Sequence, residues 1–143
     1  SYKSTKQLIQ LLVHAASLGA NLLLNIGPMP NGKIQPEFHD RLHEMGDWLK
    51  IYGSSIYNTT AGYMKPQEWG CITQEKQKIY LHVFDMGTQN ISLKNFPFRQ
   101  IKKVYFLKNG QSIPYQLNAG IFSISSLQLK PGNPDEVIVV EAI

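Results

Sequence analysis

The stretch "NLLLNIGP", Asn21 to Pro28, most constrains what this chain folds into. Its apolar residues run almost unbroken to Ile26 and stop at Gly27-Pro28. A strand wetted on one face alternates apolar and polar side chains, whereas a strand buried on both faces, as in a parallel sheet, does not. Helical patterns flank it. Upstream, Ser4 and Gln7 have capping-box spacing, Leu8, Leu11, Leu12, Ala15 and Ala16 recur at helical spacing, and Gly19 is placed to end the helix. Downstream, Met29 to Gln35 is a turn-rich loop and Pro36 suits the first turn of a second helix. That helix carries an apolar stripe of Phe38, Leu42, Met45, Leu49, Tyr52 and Ile56, with Gly53 as its stop. One helix, one strand and one helix cannot cover a doubly buried strand, which needs parallel neighbours and an outer helical layer. Ser1 to Ile56 therefore reads as the last α-β-α segment of a larger α/β barrel or sheet, the rest expected upstream of Ser1.

The period changes near Thr60. Short strand candidates follow at Trp69–Gln74, Lys78–Phe84, Asn90–Leu93, Ile101–Leu107, Ile113–Leu117, Ile121–Ile124 and Glu136–Glu141, separated by turn signals such as Asn109-Gly110 and Asn118-Ala119-Gly120. This spacing predicts an antiparallel β-sandwich of roughly seven strands. The expected fold class is α/β plus all-β, with residues 1–60 as the barrel segment and 61–143 as the sandwich domain.

Composition narrows the function classes. Apolar residues are 43% and charged residues 17% of 143, an ordinary globular balance. The apolar runs are too short to span a bilayer. The net charge of +4 comes from scattered lysines, Lys102-Lys103 being the only adjacent basic pair, so no nucleic-acid partner is expected. The single cysteine, Cys71, allows no internal disulfide.

The segment "YKSTKQLIQLLVHAASLGANLLLNIGPMPNGKIQPEFHDRLHEMGDWLKIYGSSIYNT" resembles the closing part of the catalytic barrel of α-L-fucosidases of glycoside hydrolase family 29. The matching residues are Gly19, Asn21 to Pro28, Gly32, Ile34, Leu42, Gly46, Trp48, Leu49, Gly53, Ile56, Tyr57 and Thr59. Trp69 to Asp85 is similar to the opening strands of that family's C-terminal β-sandwich. Ala20, Asn31, Tyr52 and Ser54-Ser55 depart from the family pattern. The resemblance implies a (β/α)8-like barrel followed by a β-sandwich, and a retaining hydrolase of terminal α-L-fucose that works without metal or organic cofactor. Retention needs two carboxyl groups roughly 5 Å apart. The resemblance places both upstream of Ser1, so no catalytic residue is expected in this chain. The implied partners are a fucosylated oligosaccharide or glycoconjugate and the remainder of the catalytic domain. Periplasmic, secreted and lysosomal settings all suit that family; the single cysteine and short loops favour a bacterial-like periplasmic or secreted one.

Candidate site residues within the chain are few. Asn25 and Gly27 fall at the C-terminal end of the expected barrel strand, the face at which such barrels assemble active sites. Asn25 is a candidate to orient a neighbouring binding or catalytic group through its amide. Glu37, Asp40, Arg41, Glu44 and Asp47 share a helical face that a solvated charge pattern explains. His39 and His43 have the spacing of half a helical metal site but lack a third ligand, and no metal is expected. Tyr63, Trp69, Tyr80 and Phe84 pose the alternative function, a carbohydrate-binding β-sandwich module without catalysis, should they form one exposed platform.

Overall fold

The computed structural model of the protein describes residues 4–19 and 36–143. The expected strand at 21–26 and the loop after it lie outside the described residues. Helix α1 (Thr5–Ser17) opens on its capping box: the Ser4 hydroxyl accepts from the Gln7 amide at 3.1 Å, and Gln7 Oε1 accepts from the Ser4 amide at 2.8 Å. At its end the Leu18 and Gly19 amides donate to the Ala15 and Ala16 carbonyls. Gly19 takes φ +76°, a left-handed conformation that glycine adopts without steric cost. The buried stripe only partly matches the expected one, with Leu8 buried and Leu12 packed against the same core. Leu8, Ile9, Val13 and Ser17 face inward, while Leu11 stays 39% exposed. An apolar pattern broader than one face leaves the choice of row to whatever the helix packs on, and here the sheet meets the row Ile9–Val13–Ser17.

Helix α2 (Pro36–Tyr52) begins at the expected proline and passes into a 3-10 turn, Gly53–Ser55. Met45, Trp48 and Tyr52 are buried, with Leu42 and Leu49 half-buried beside them. The rings of Trp48 and Tyr52 stack at 5.1 Å.

Eight strands follow, and every pairing is antiparallel. The first sheet runs β1 (Thr60–Ala61), β2 (Gly70–Glu75), β3 (Lys78–Val83), β8 (Glu136–Ala142), β5 (Ile101–Phe106). The second runs β4 (Ile91–Leu93), β7 (Ile121–Ile124), β6 (Gln116–Asn118). The expected sandwich is present, and six of its seven strands fall where the pattern put them. The seventh, expected at Ile113–Leu117, is displaced to Gln116–Asn118. Pro114 has no N–H to give a ladder, and the chain before it is still tied to the first sheet: Ile113 N donates to Val104 O at 2.9 Å. The chain pairs with the second sheet only beyond that proline.

The first sheet is buried on both faces. Toward the second sheet it presents Ile72, Leu81, Val83, Ile138 and Val140, which pack with Phe122, Ile91 and Ile124. Toward the helices it presents Cys71, Tyr80, Val137 and Val139, which pack with Ile9, Val13, Trp48 and Tyr52. This explains the unbroken "VIVV" of β8, in which consecutive side chains enter different cores. Each fully buried side chain of this size contributes about 1.5–3 kcal/mol relative to exposure. The layers are helices, five strands, three strands.

Candidate functional site

Asn25 and Gly27 lie outside the described residues. The described residues supply the frame on either side of them: the end of α1 at Gly19 and the start of α2 at Pro36, both helices seated on the first sheet. Gln10 Nε2 donates to Pro134 O at 2.9 Å and Gly62 N donates to Ser17 O at 3.1 Å, which ties α1 to the sandwich at its middle and at its C-terminal end. An open groove of about 330 Å³ lies between α1 and the sheet, lined by Gln7, Gln10, Leu11, His14 and Phe84.

The other candidates scatter. His39 and His43 are exposed, and His43 approaches Asp47 at 3.6 Å on its own helix, an arrangement of a solvated surface. Asp40, Glu44 and Asp47 are exposed too, and the Glu37 side chain lies outside the described residues. Among the described residues no cluster of three His, Cys, Asp or Glu could hold a metal ion, and no helix is long and apolar enough to cross a membrane. The four aromatics do not form one platform. Tyr63 and Trp69 pack against the core between the sheets, whereas Tyr80 and Phe84 pack against the core under the helices.

The polar centre that the structure does assemble was not among the sequence candidates. Under the helices, His82 Nδ1 lies 2.7 Å from Asp135 Oδ2, and His82 Nε2 lies 2.8 Å from Thr73 Oγ1. The Thr73 hydroxyl donates to Ser55 O at 2.6 Å, and the Ser55 hydroxyl donates to Tyr52 O at 2.6 Å. All four of Ser55, Thr73, His82 and Asp135 are fully buried. Burial pushes the Asp135 carboxyl above the usual carboxylate range; the His82 ring opposes this and the nearby Glu136 charge adds to it. Glu136 is itself held by Lys108 at 3.0 Å and Asn133 at 3.3 Å. Cys71, the cross-strand neighbour of His82, is pushed up to about 12 by burial and is a packed thiol rather than a nucleophile. The only sequence sign of this centre is the charged pair Asp135-Glu136 set directly before an apolar run.

Comparison with known proteins accounts for the frame. Residues 1–54 match the family model of alpha-L-fucosidase. The plasma alpha-L-fucosidase of Rattus norvegicus is 38% identical over 84 residues, 55% of this chain and 18% of that protein. Alpha-L-fucosidase isoenzyme 1 from Paenibacillus thiaminolyticus superimposes with a TM-score of 0.84 at 30% identity, covering 98% of this chain and 35% of that one. An alpha-L-fucosidase GH29 from Bacteroides thetaiotaomicron, a trapped covalent intermediate in complex with 2-fluoro-fucosyl fluoride, gives 0.86 at 26% identity, covering 99% and 33%. This chain thus spans about a third of the length of those solved enzymes and under a fifth of the rat protein. The family-model match is confined to residues 1–54, whereas the structural likeness extends over nearly the whole chain. The chain is thus similar, over residues 1–54 in sequence and over nearly its whole length in structure, to the C-terminal part of α-L-fucosidases of glycoside hydrolase family 29.

Proposed function

We propose that this chain is part of a retaining α-L-fucosidase that removes terminal α-L-fucose from fucosylated oligosaccharides or glycoconjugates by double displacement. The observation that carries the reading is the superposition of 98–99% of the chain on solved α-L-fucosidases. The covalent intermediate trapped in the Bacteroides thetaiotaomicron relative fits double displacement, in which one carboxylate attacks the anomeric carbon and a second serves as acid and then base. Both carboxylates belong to the remainder of the catalytic domain. Residues 1–60 would close its barrel and residues 61–143 would form the accessory sandwich that holds the two helices in place. Asn25 and Gly27 would sit at the strand end that meets the sugar pocket, Asn25 orienting a neighbouring group through its amide. The chemistry calls for no metal or organic cofactor. A secreted, periplasmic or lysosomal setting suits the family.

The test is hydrolysis of p-nitrophenyl α-L-fucoside by the full-length protein and by this 143-residue chain, side by side. Activity in the full-length protein alone is expected. A full-length protein inactive on every α-L-fucoside tried removes the reading. Turnover by the 143 residues alone would mean that the carboxylates have been placed wrongly.

A further inference from the structure

We propose that His82 and Asp135 form a proton-operated latch that holds the end of α2 on the first sheet, closed while a proton lies between them and open once it is lost. The hydrogen-bond directions carry the argument. Ser55 O is a carbonyl and only accepts, so the single Thr73 hydroxyl proton is committed to it at 2.6 Å. Thr73 Oγ1 must then accept from His82, which puts a hydrogen on Nε2. With Nε2 protonated, the 2.7 Å contact between Nδ1 and Asp135 Oδ2 needs a proton of its own, carried by either partner. The closed state is therefore net neutral across the pair, as a fully buried pair requires.

Loss of that proton leaves one hydrogen on the imidazole. If it stays on Nε2, two lone pairs face each other across 2.7 Å in a buried site. The better arrangement moves it to Nδ1, where it is donated to the carboxylate. Nε2 then becomes an acceptor, and the Thr73 hydroxyl turns away from Ser55 to fill it. Ser55 O loses its donor, and the 3-10 turn that ends α2 loses its tie to β2. A second proton added to Asp135 in acid leaves the Nε2–H bond in place, so the latch opens only on the alkaline side. Burial favours the neutral Asp135 carboxyl, which acts in the same sense.

The groups around the pair are accounted for element by element. Strand β2 contributes Cys71 beside His82, α2 contributes the Tyr52 hydroxyl, and β8 contributes Glu136, already paired with Lys108 from the turn after β5. From α1 the ionisable residues Lys6 and His14 are exposed. Of these, the nearby Glu136 charge raises the Asp135 carboxyl and so favours the closed state.

The test uses the full-length protein that carries this chain, as wild type, Asp135→Asn and Thr73→Val. Amide hydrogen exchange is followed in peptides covering the Tyr52–Thr59 turn from about pH 5 to about pH 9, corrected for intrinsic exchange. Wild-type protection is expected to be lower at the alkaline end than at the acid end. Asp135→Asn should hold the acid-side level throughout, because its amide donates to Nδ1 of a neutral ring that keeps Nε2–H. Thr73→Val should show low protection at every pH. Flat wild-type protection, or a wild-type pH response in Asp135→Asn, overturns the latch. Nitrogen NMR of the histidines reads the same question in the wild type alone. His82 Nε2 should carry hydrogen at the acid end and lose it on release, and an Nε2 bare at the acid end overturns the proposal.

Discussion

Glu141 shows how a single residue takes its properties from strand register. The pairings Glu75↔Lys78, Lys78↔Glu141 and Lys103↔Glu141 set alternating charges in a row across four strands, since residues directly opposite share a face. Burial pushes the Glu141 carboxyl up, but the Tyr105 hydroxyl, Lys103 at 3.6 Å and Lys78 outweigh it, and the net shift is downward. A carboxyl held below its unfolded value adds stability above the ordinary glutamate pKa of about 4.3, and that stability is lost as pH falls through the folded value. Glu141→Gln should therefore cost up to about 1 kcal/mol near neutral pH. Urea denaturation should show this gap closing in acid, and a gap that persists there would remove the electrostatic account. His82 marks the limit of what local pattern conveys. In "KIYLHVF" it reads as one position of an alternating strand, and its partner Asp135 is 53 residues away.

Single elements depend on a few backbone positions. Gly70 opens β2 with φ +155°, and a Cβ there would lie 1.7 Å from His82 O, a backbone atom that cannot swing aside. Gly70→Ala should destabilise the fold by about 3 kcal/mol or more, because both strain and clash fall on the central β2–β3 pair. A change of a few tenths in denaturation midpoint free energy would show that the strand pair can shift. Element types were largely readable. The capping box, Gly19, Pro36 and the period of two are local signals with local causes. The buried row of α1 was not, because Leu11 and Ile9 are equally apolar and only the sheet beneath chooses between them. The displaced β6 was missed for a related reason: Ile113 is apolar and buried, but its backbone partner is Val104 in the other sheet.

At the scale of the molecule, the core under the helices joins the two chain segments. Val13, Trp48 and Tyr52 come from one, and Cys71, Tyr80, Val137 and Val139 from the other. Removing residues 1–59 would bare that face of the first sheet. The remaining piece should bind more of a hydrophobic dye and self-associate more readily than the intact chain. A monomeric, dye-silent 60–143 piece would mean that the helices contribute little to covering the sheet. The doubly buried β8 makes the same point in sequence, since "VIVV" has no wet face to spare.

What the sequence by itself determined is what short-range chemistry dictates: helix ends from caps and proline, strands from period and turns, and a family likeness in ordered residues from Gly19 to Thr59. Only the tertiary structure decided which faces became interior and which polar groups met there. Ser55, Thr73, His82 and Asp135 come from a turn, two strands and a loop, and nothing in the neighbourhood of any one names the others. The physical reason is that buried polar groups must find hydrogen-bond partners wherever the packed layers place them. That placement depends on long-range strand order and helix docking, which local sequence does not carry.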